Sequence, residues 1–247
     1  RHNGWLFFIA NGDPRHTVYT YMSVKRVLRK TIRKEKEESR VTEPLTETPE
    51  LSAKYAWFFD LDGTLANTLE SMAYVANEIL EKMELTPQPV QNFKYYSGEG
   101  ADMLIRRCLK DAGDPELTHY DKCRSLYREK FDADPLYKVV PYDGIMETLK
   151  KLKNRGMKLA VCSNKPHVAA VKVISQMFDG YFDLVIGQSD AIRRKPAPDG
   201  LLKAAQEFGV IPSECMYVGD TKTDMETGKY ALSASGSDGK RYRRTGE

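Results

Sequence analysis

The run Tyr55-Ala56-Trp57-Phe58-Phe59 is apolar throughout and ends abruptly in Asp60-Leu61-Asp62-Gly63-Thr64. A short, fully apolar segment reads as a strand buried on both faces. Side chains alternate along an extended backbone, so Asp60 and Asp62 leave the strand end in the same direction. Two carboxylates together at the edge of a core are costly unless a cation or a proton occupies them. The chain must therefore fold so that this strand end meets compensating charge. A calcium loop does not fit, because it would need its glycine later than Gly63 and a glutamate where Ser71 stands.

Further along, apolar segments at 158–162, 182–186 and 216–218 read as strands, with helices expected at 143–155, 168–177 and 200–208. In the first helix Ile145, Met146, Leu149 and Leu152 fall at helical spacing. Strand–helix alternation with apolar strands predicts a parallel sheet covered by helices. Ligands of such sheets gather at the carboxyl ends of the strands. Four polar clusters are expected there: Asp60–Thr64, Ser163-Asn164, Lys195-Pro196, and Gly219-Asp220 with Asp224.

Between the first two strands lies an insertion, residues 71–140, too long for a simple crossover. Ala73, Ala76, Ile79, Leu80 and Met83 mark one helical face, and Met103, Leu104, Ile105, Cys108 and Leu109 another. The insertion is expected to form a helical lid. The expected division is an extension and linker over 1–53, a core over 54–70 and 141–231, the cap over 71–140, and a polar, basic tail over 232–247.

The clusters suit phosphoryl transfer, which needs a nucleophile, a neutralising cation and a proton carrier. A carboxylate such as Asp60 beside Mg²⁺ can attack phosphorus. Asp62, held off the metal, can protonate the leaving alkoxide and then deprotonate water. Ser163 and nearby N–H groups can bind a phosphoryl oxygen, and Lys195 can neutralise the nucleophile and the transferring group. Asp220 is positioned as a metal ligand, and Asp224, one helical turn on, can support the metal waters or Lys195.

Asp60-Leu61-Asp62-Gly63-Thr64 resembles motif I of the haloacid dehalogenase superfamily, and the insertion behind it matches that superfamily's first type of helical cap. The stretch Tyr96-Ser97-Gly98-Glu99-Gly100-Ala101-Asp102 looks like the cap loop of phosphoglycolate phosphatases. Pro141-Tyr142-Asp143-Gly144, Cys162-Ser163-Asn164-Lys165-Pro166 and Arg194-Lys195-Pro196-Ala197-Pro198 are similar to the same group. The resemblance implies an α/β, Rossmann-like parallel sheet with an inserted α-helical cap. It implies Mg²⁺-dependent hydrolysis of a small phosphorylated metabolite, such as 2-phosphoglycolate, through an aspartyl-phosphate. Asp60, Asp62 and Lys195 would be catalytic. Gly63, Thr64, Ser163, Asn164 and Lys195 would hold phosphate. Asp60, Asp62 and Asp220 would form the metal site, with Asp224 behind them. Ser97, Gly98, Glu99 and Gly100 would touch the substrate. An acid at Asp62 separates the chain from the dehalogenases themselves. Sugar-phosphate mutase, pyrophosphatase or nucleotidase activity would fit the same fold, as would a catalytically impaired, truncated homologue.

The departure from the family lies after Ala231, where a fifth apolar strand is expected and Leu232-Ser233-Ala234-Ser235-Gly236 stands instead. A frame disruption, truncation or engineered tail is the expectation, leaving the fourth strand as an exposed edge. The chain also opens on Arg, which suits a fragment or a non-native segment before Met22. The formal charge of +3 arises from residues 1–40, which hold ten Lys/Arg against four Asp/Glu. A solvated tail explains that better than a nucleic-acid surface. No apolar run approaches a membrane span. Cys108, Cys123, Cys162 and Cys215 show no metal-binding spacing and read as reduced thiols of a cytoplasmic protein, monomeric or homodimeric.

Overall fold

The computed structural model describes residues 6–9, 19–21 and 56–236. Its strands are β1 (Leu6–Ile9), β2 (Tyr19–Tyr21), β3 (Ala56–Phe59), β4 (Ala66–Asn67), β5 (Val140–Pro141), β6 (Lys158–Pro166), β7 (Leu184–Gln188) and β8 (Cys215–Gly219). Six of them form one sheet in the order β2-β1-β8-β3-β6-β7. Strand β3 lies parallel to β6 and β8, and β6 lies parallel to β7. The fold is thus the α/β, Rossmann-like parallel core that the strand–helix alternation predicts.

Alternation along β3 builds both halves of the core. Trp57 and Phe59 point into one apolar cluster with Leu149, Leu152, Val173 and Phe178. Those partners lie on or beside helices α5 (Ile145–Asn154) and α6 (His167–Met177). Ala56 and Phe58 point into the opposite cluster with Leu201, Ala204, Tyr217 and Ala231. Helices α7 (Asp199–Phe208) and α8 (Lys222–Gly236) cover that face.

Helices α1 (Leu69–Lys82), α2 (Phe93–Tyr96), α3 (Ala101–Asp111) and α4 (Tyr120–Ala133) precede α5. They close on an apolar cluster of their own, with Ile79, Phe93, Leu104, Ile105, Leu109 and Phe131 all buried. The chain enters and leaves this helical unit through the short antiparallel pair β4–β5, with Ala66 opposite Pro141. Among its cross-links to the core are two near the start of α3. Asn164 Nδ2 donates to Gly98 O at 3.0 Å, and Arg194 pairs with Asp102.

Two expectations need correction. The edge beside β8 is not bare: β1 lies antiparallel along it, with Leu6 opposite Gly219 and Ile9 opposite Met216. The first part of the extension over 1–53 therefore contributes a sheet strand, because Leu-Phe-Phe-Ile can fill a ladder that β8 leaves unpaired on that side. The start of the expected polar tail is also ordered, since α8 runs on to Gly236. Its small residues are compatible with helix once the preceding turns are in place. The basic segment 25–40 and most of the linker lie outside the described residues.

Candidate active site

Asp60 directly follows β3, and its N–H donates to Val218 O at 2.8 Å, so the ladder to β8 fixes its backbone. Its side chain is buried. Lys195, from the loop beyond β7, sets Nζ 2.8 Å from Asp60 Oδ1 and 2.6 Å from Asp224 Oδ1. Burial pushes the Asp60 carboxyl up to about 7. Lys195 opposes that shift, while Asp224 and Asp220 add to it. Burial works against the Lys195 ammonium, yet Asp224 and Asp60 more than offset it and hold its pKa above the usual lysine value.

Asp224 is buried too, but Lys195 and the hydrogen bonds from Thr221 and Tyr217 hold its carboxyl below the usual range. Tyr217 donates to Asp224 Oδ1 at 2.7 Å, and Thr221 N–H donates to Oδ2 at 3.0 Å. Both carboxylate oxygens of Asp224 are therefore engaged. Gly219 is required beside it, because any Cβ there would collide with the Asp224 side chain. Asp220 stands at the solvent-facing rim. Protein crowding and then Asp224 raise its carboxyl to about 6, against a hydrogen bond from Thr64.

Asp60, Asp220 and Asp224 bring carboxylate oxygens within 4.8 Å of one another. Lys195 is the one cation paired with this cluster among the described residues, so three carboxylates face one ammonium. Asp60 Oδ1, despite that ammonium, lacks a well-aligned hydrogen bond. A surplus of about two negative charges on oxygen donors, with Asp60 and Asp224 buried and Asp220 at the rim, suits a small divalent cation, and Asp60 and Asp220 would hold it.

The carboxylate of Asp62 is not part of this cluster. It turns to a second buried lysine, Lys165, with Nζ 3.0 Å from Asp62 Oδ1. Each aspartate of the pair thus has its own lysine. Asp60, Asp62, Ser163, Lys165 and Lys195 line a cavity of about 440 Å³, counting the solvent at its mouth. Ser97, Gly98 and Gly100 close it from the cap side.

Several residues have tasks other than those expected from sequence. Asn164 does not present its amide to the cavity as a phosphate donor. Its Oδ1 accepts from Lys195 N–H at 2.7 Å, and its Nδ2 donates to Lys195 O at 3.2 Å and to Gly98 O. It clamps the lysine loop and the cap loop together. Thr64 Oγ1 donates to Asp220 Oδ1 at 3.0 Å in the loop after β8, and the Gly63 N–H donates to Ala66 O at 3.0 Å within its own loop, so both groups are engaged. Gly63, at φ +86°, is needed because a Cβ there would strike Asp220. Glu99 does not line the cavity and pairs with Arg107. Lys165 and Tyr217 were not singled out from the sequence. Their one signal was position, at the end of an apolar strand and two residues before Gly219.

A parallel sheet with an acidic pair at its central strand end, a buried lysine and an inserted helical lid defines a capped phosphate-transfer enzyme. The haloacid dehalogenase-like hydrolase family model matches residues 57–233, and the chain belongs to that family. It is 34% identical to the phosphoglycolate phosphatase of Aquifex aeolicus over 174 residues, 70% of this chain and 79% of the relative. It is 30% identical to that of Pseudomonas putida, covering 70% of this chain and 65% of the relative. The crystal structure of a predicted phosphoglycolate phosphatase from Haemophilus somnus 129pt superposes with a TM-score of 0.68 at 25% identity, covering 74% of this chain and 84% of that one. The chain is accordingly a phosphoric monoester hydrolase of phosphoglycolate phosphatase-like type. No described helix is long and apolar enough to cross a membrane. All four cysteines are buried and free.

Proposed function

We propose that the protein is a Mg²⁺-dependent phosphatase acting on a small phosphomonoester, 2-phosphoglycolate, through an aspartyl-phosphate on Asp60. The observation that carries this reading is the cavity itself, whose wall brings together Asp60, Asp62, Ser163 and Lys195 from three separate strand ends. Named relatives that are phosphoglycolate phosphatases support the substrate. Bound Mg²⁺ would neutralise charge on the phosphoryl oxygens.

The chain's own groups carry the remaining work. Lys195 and Ser163 hold the phosphoryl group against Asp60. A carboxylate oxygen of Asp60 forms a bond to phosphorus as the phosphorus–alkoxide bond breaks, and Asp62 gives its proton to the departing oxygen. Asp62 then takes a proton from water, whose oxygen attacks phosphorus. Inorganic phosphate leaves and the Asp60 carboxylate is restored. The cap limits the space to a small leaving group and reduces access of bulk water.

Phosphate release from 2-phosphoglycolate and from p-nitrophenyl phosphate, dependent on Mg²⁺ and lost in Asp60→Asn, is the expected result. A folded sample that releases phosphate from no monoester would overturn the reading. A mutase would want a basic group facing the cavity from the cap loop. Arg106 instead lies 3.9 Å over the Tyr120 ring, and Arg107 pairs with Glu99.

A further inference from the structure

We propose that Lys165 reads the substrate, binding an anionic group carried one or two carbons from the ester oxygen. The proposal rests on the phosphatase reading above. The Lys165 side chain is 2% exposed, and among the described residues its ion-pair partner is Asp62. Its Nζ sits 4.4 Å from the centre of the Phe131 ring, which α4 lowers over it from the cap. Met72, Leu104 and Tyr127 line the same cavity.

The placement has a chemical consequence. Asp62 must hydrogen-bond to the ester oxygen in order to protonate it, so the rest of the substrate extends from Asp62 into the same cavity. The ammonium 3.0 Å from Asp62 Oδ1 is then within reach of the next one or two atoms of the leaving group. An ammonium has three protons and Asp62 accepts one. A carboxylate on the adjacent carbon can take another in a site sheltered from water, where a charged hydrogen bond is strong. A neutral alkyl group would leave that proton without a substrate partner. Lys195 thus faces the end of the substrate that is transferred, and Lys165 faces the end that leaves.

The test compares kcat/KM for 2-phosphoglycolate with that for ethyl phosphate, which has similar length and no carboxylate. In Lys165→Met the ratio of the two is expected to fall about 30- to 100-fold, the lower end for loss of a buried charged contact. Lys165→Arg should restore most of it. A ratio unchanged in the Met variant, with both substrates slowed equally, would show that Lys165 serves Asp62 alone and overturn the proposal. Should the Met variant fail to fold, the unaltered protein decides. Glycolate should inhibit p-nitrophenyl phosphate hydrolysis competitively where ethanol at the same concentration does not, and equal effects would also overturn it. Absence of phosphate release from p-nitrophenyl phosphate, 2-phosphoglycolate and ethyl phosphate alike would instead sink the phosphatase reading itself.

Discussion

Thr64 Oγ1 donates a hydrogen bond to Asp220 Oδ1 at 3.0 Å, joining two loops that are 156 residues apart in sequence. The bond orients the rim carboxylate toward Asp60 and occupies one of its oxygens. Thr64→Val keeps the shape and removes the donor. Removing such a support costs about 10-fold or more in metal affinity where it has been measured in other proteins. The half-saturating Mg²⁺ concentration should therefore rise by about that factor, with kcat at saturating Mg²⁺ nearly unchanged. Identical Mg²⁺ titrations of variant and parent would refute the link.

Stability should depend on pH and Mg²⁺ together. Without metal, the carboxyls of Asp60 and Asp220 sit near 7 and 6, above their unfolded values. The folded protein then binds more protons than the unfolded chain between about pH 4 and 7, so its stability falls as pH rises through that window. Mg²⁺ at the proposed site would bind the ionised forms and offset the repulsion. The rise in Tm on adding Mg²⁺ should be clearly larger at about pH 7.5 than at about pH 5.5. Equal rises at both, measured by scanning calorimetry, would contradict the assignment.

Asp102 joins cap to core: it accepts from Arg124 Nε at 2.9 Å within the cap and pairs with Arg194 of the core. The carboxylate is mostly shielded from solvent and held below its usual pKa by those two guanidinium groups, against the opposing effect of burial. Asp102→Asn keeps the size and removes the charge. A partly exposed ion pair is worth up to about 1 kcal/mol, so KM should rise about fivefold while kcat changes little. A fall in kcat with KM unmoved would mean that the pair acts on the chemistry instead.

Much of the core and of the catalytic end was legible because periodicity and placement are properties of the chain itself. The apolar run before Asp60 and the polar residues ending the strands near 163 and 219 required no knowledge of side-chain geometry. The roles of Thr64 and Asn164 were not legible, since a polar residue at a strand end can face a ligand or a neighbouring loop equally well. Lys165 carried no signal beyond its neighbours, because a lysine after Ser-Asn looks like any surface lysine until α4 covers it. The β1 pairing was hidden for a different reason: its partner lies at the far end of the chain, where local pattern has no reach.

Deletion of residues 1–21 tests that pairing. The β8 edge beside the Asp220 loop would lose its antiparallel neighbour and present open N–H and C=O groups. Self-association, seen by light scattering on a sizing column, and a lower Tm are expected. A monomeric deletion variant that melts like the parent would show the strand to be dispensable.

The antiparallel strand at that edge also sets an order of events. Leu6 is among the first residues synthesised of those described, yet its partner Gly219 comes near the last of them. A contact spanning almost the whole chain carries a large loop-closure cost and is made late. The leading strand has β2 close by in sequence on one side, but its other side must wait until the last strand of the sheet has emerged. Only then is the Asp220 loop flanked on both sides, so that completion of the sheet and assembly of the acidic cluster coincide.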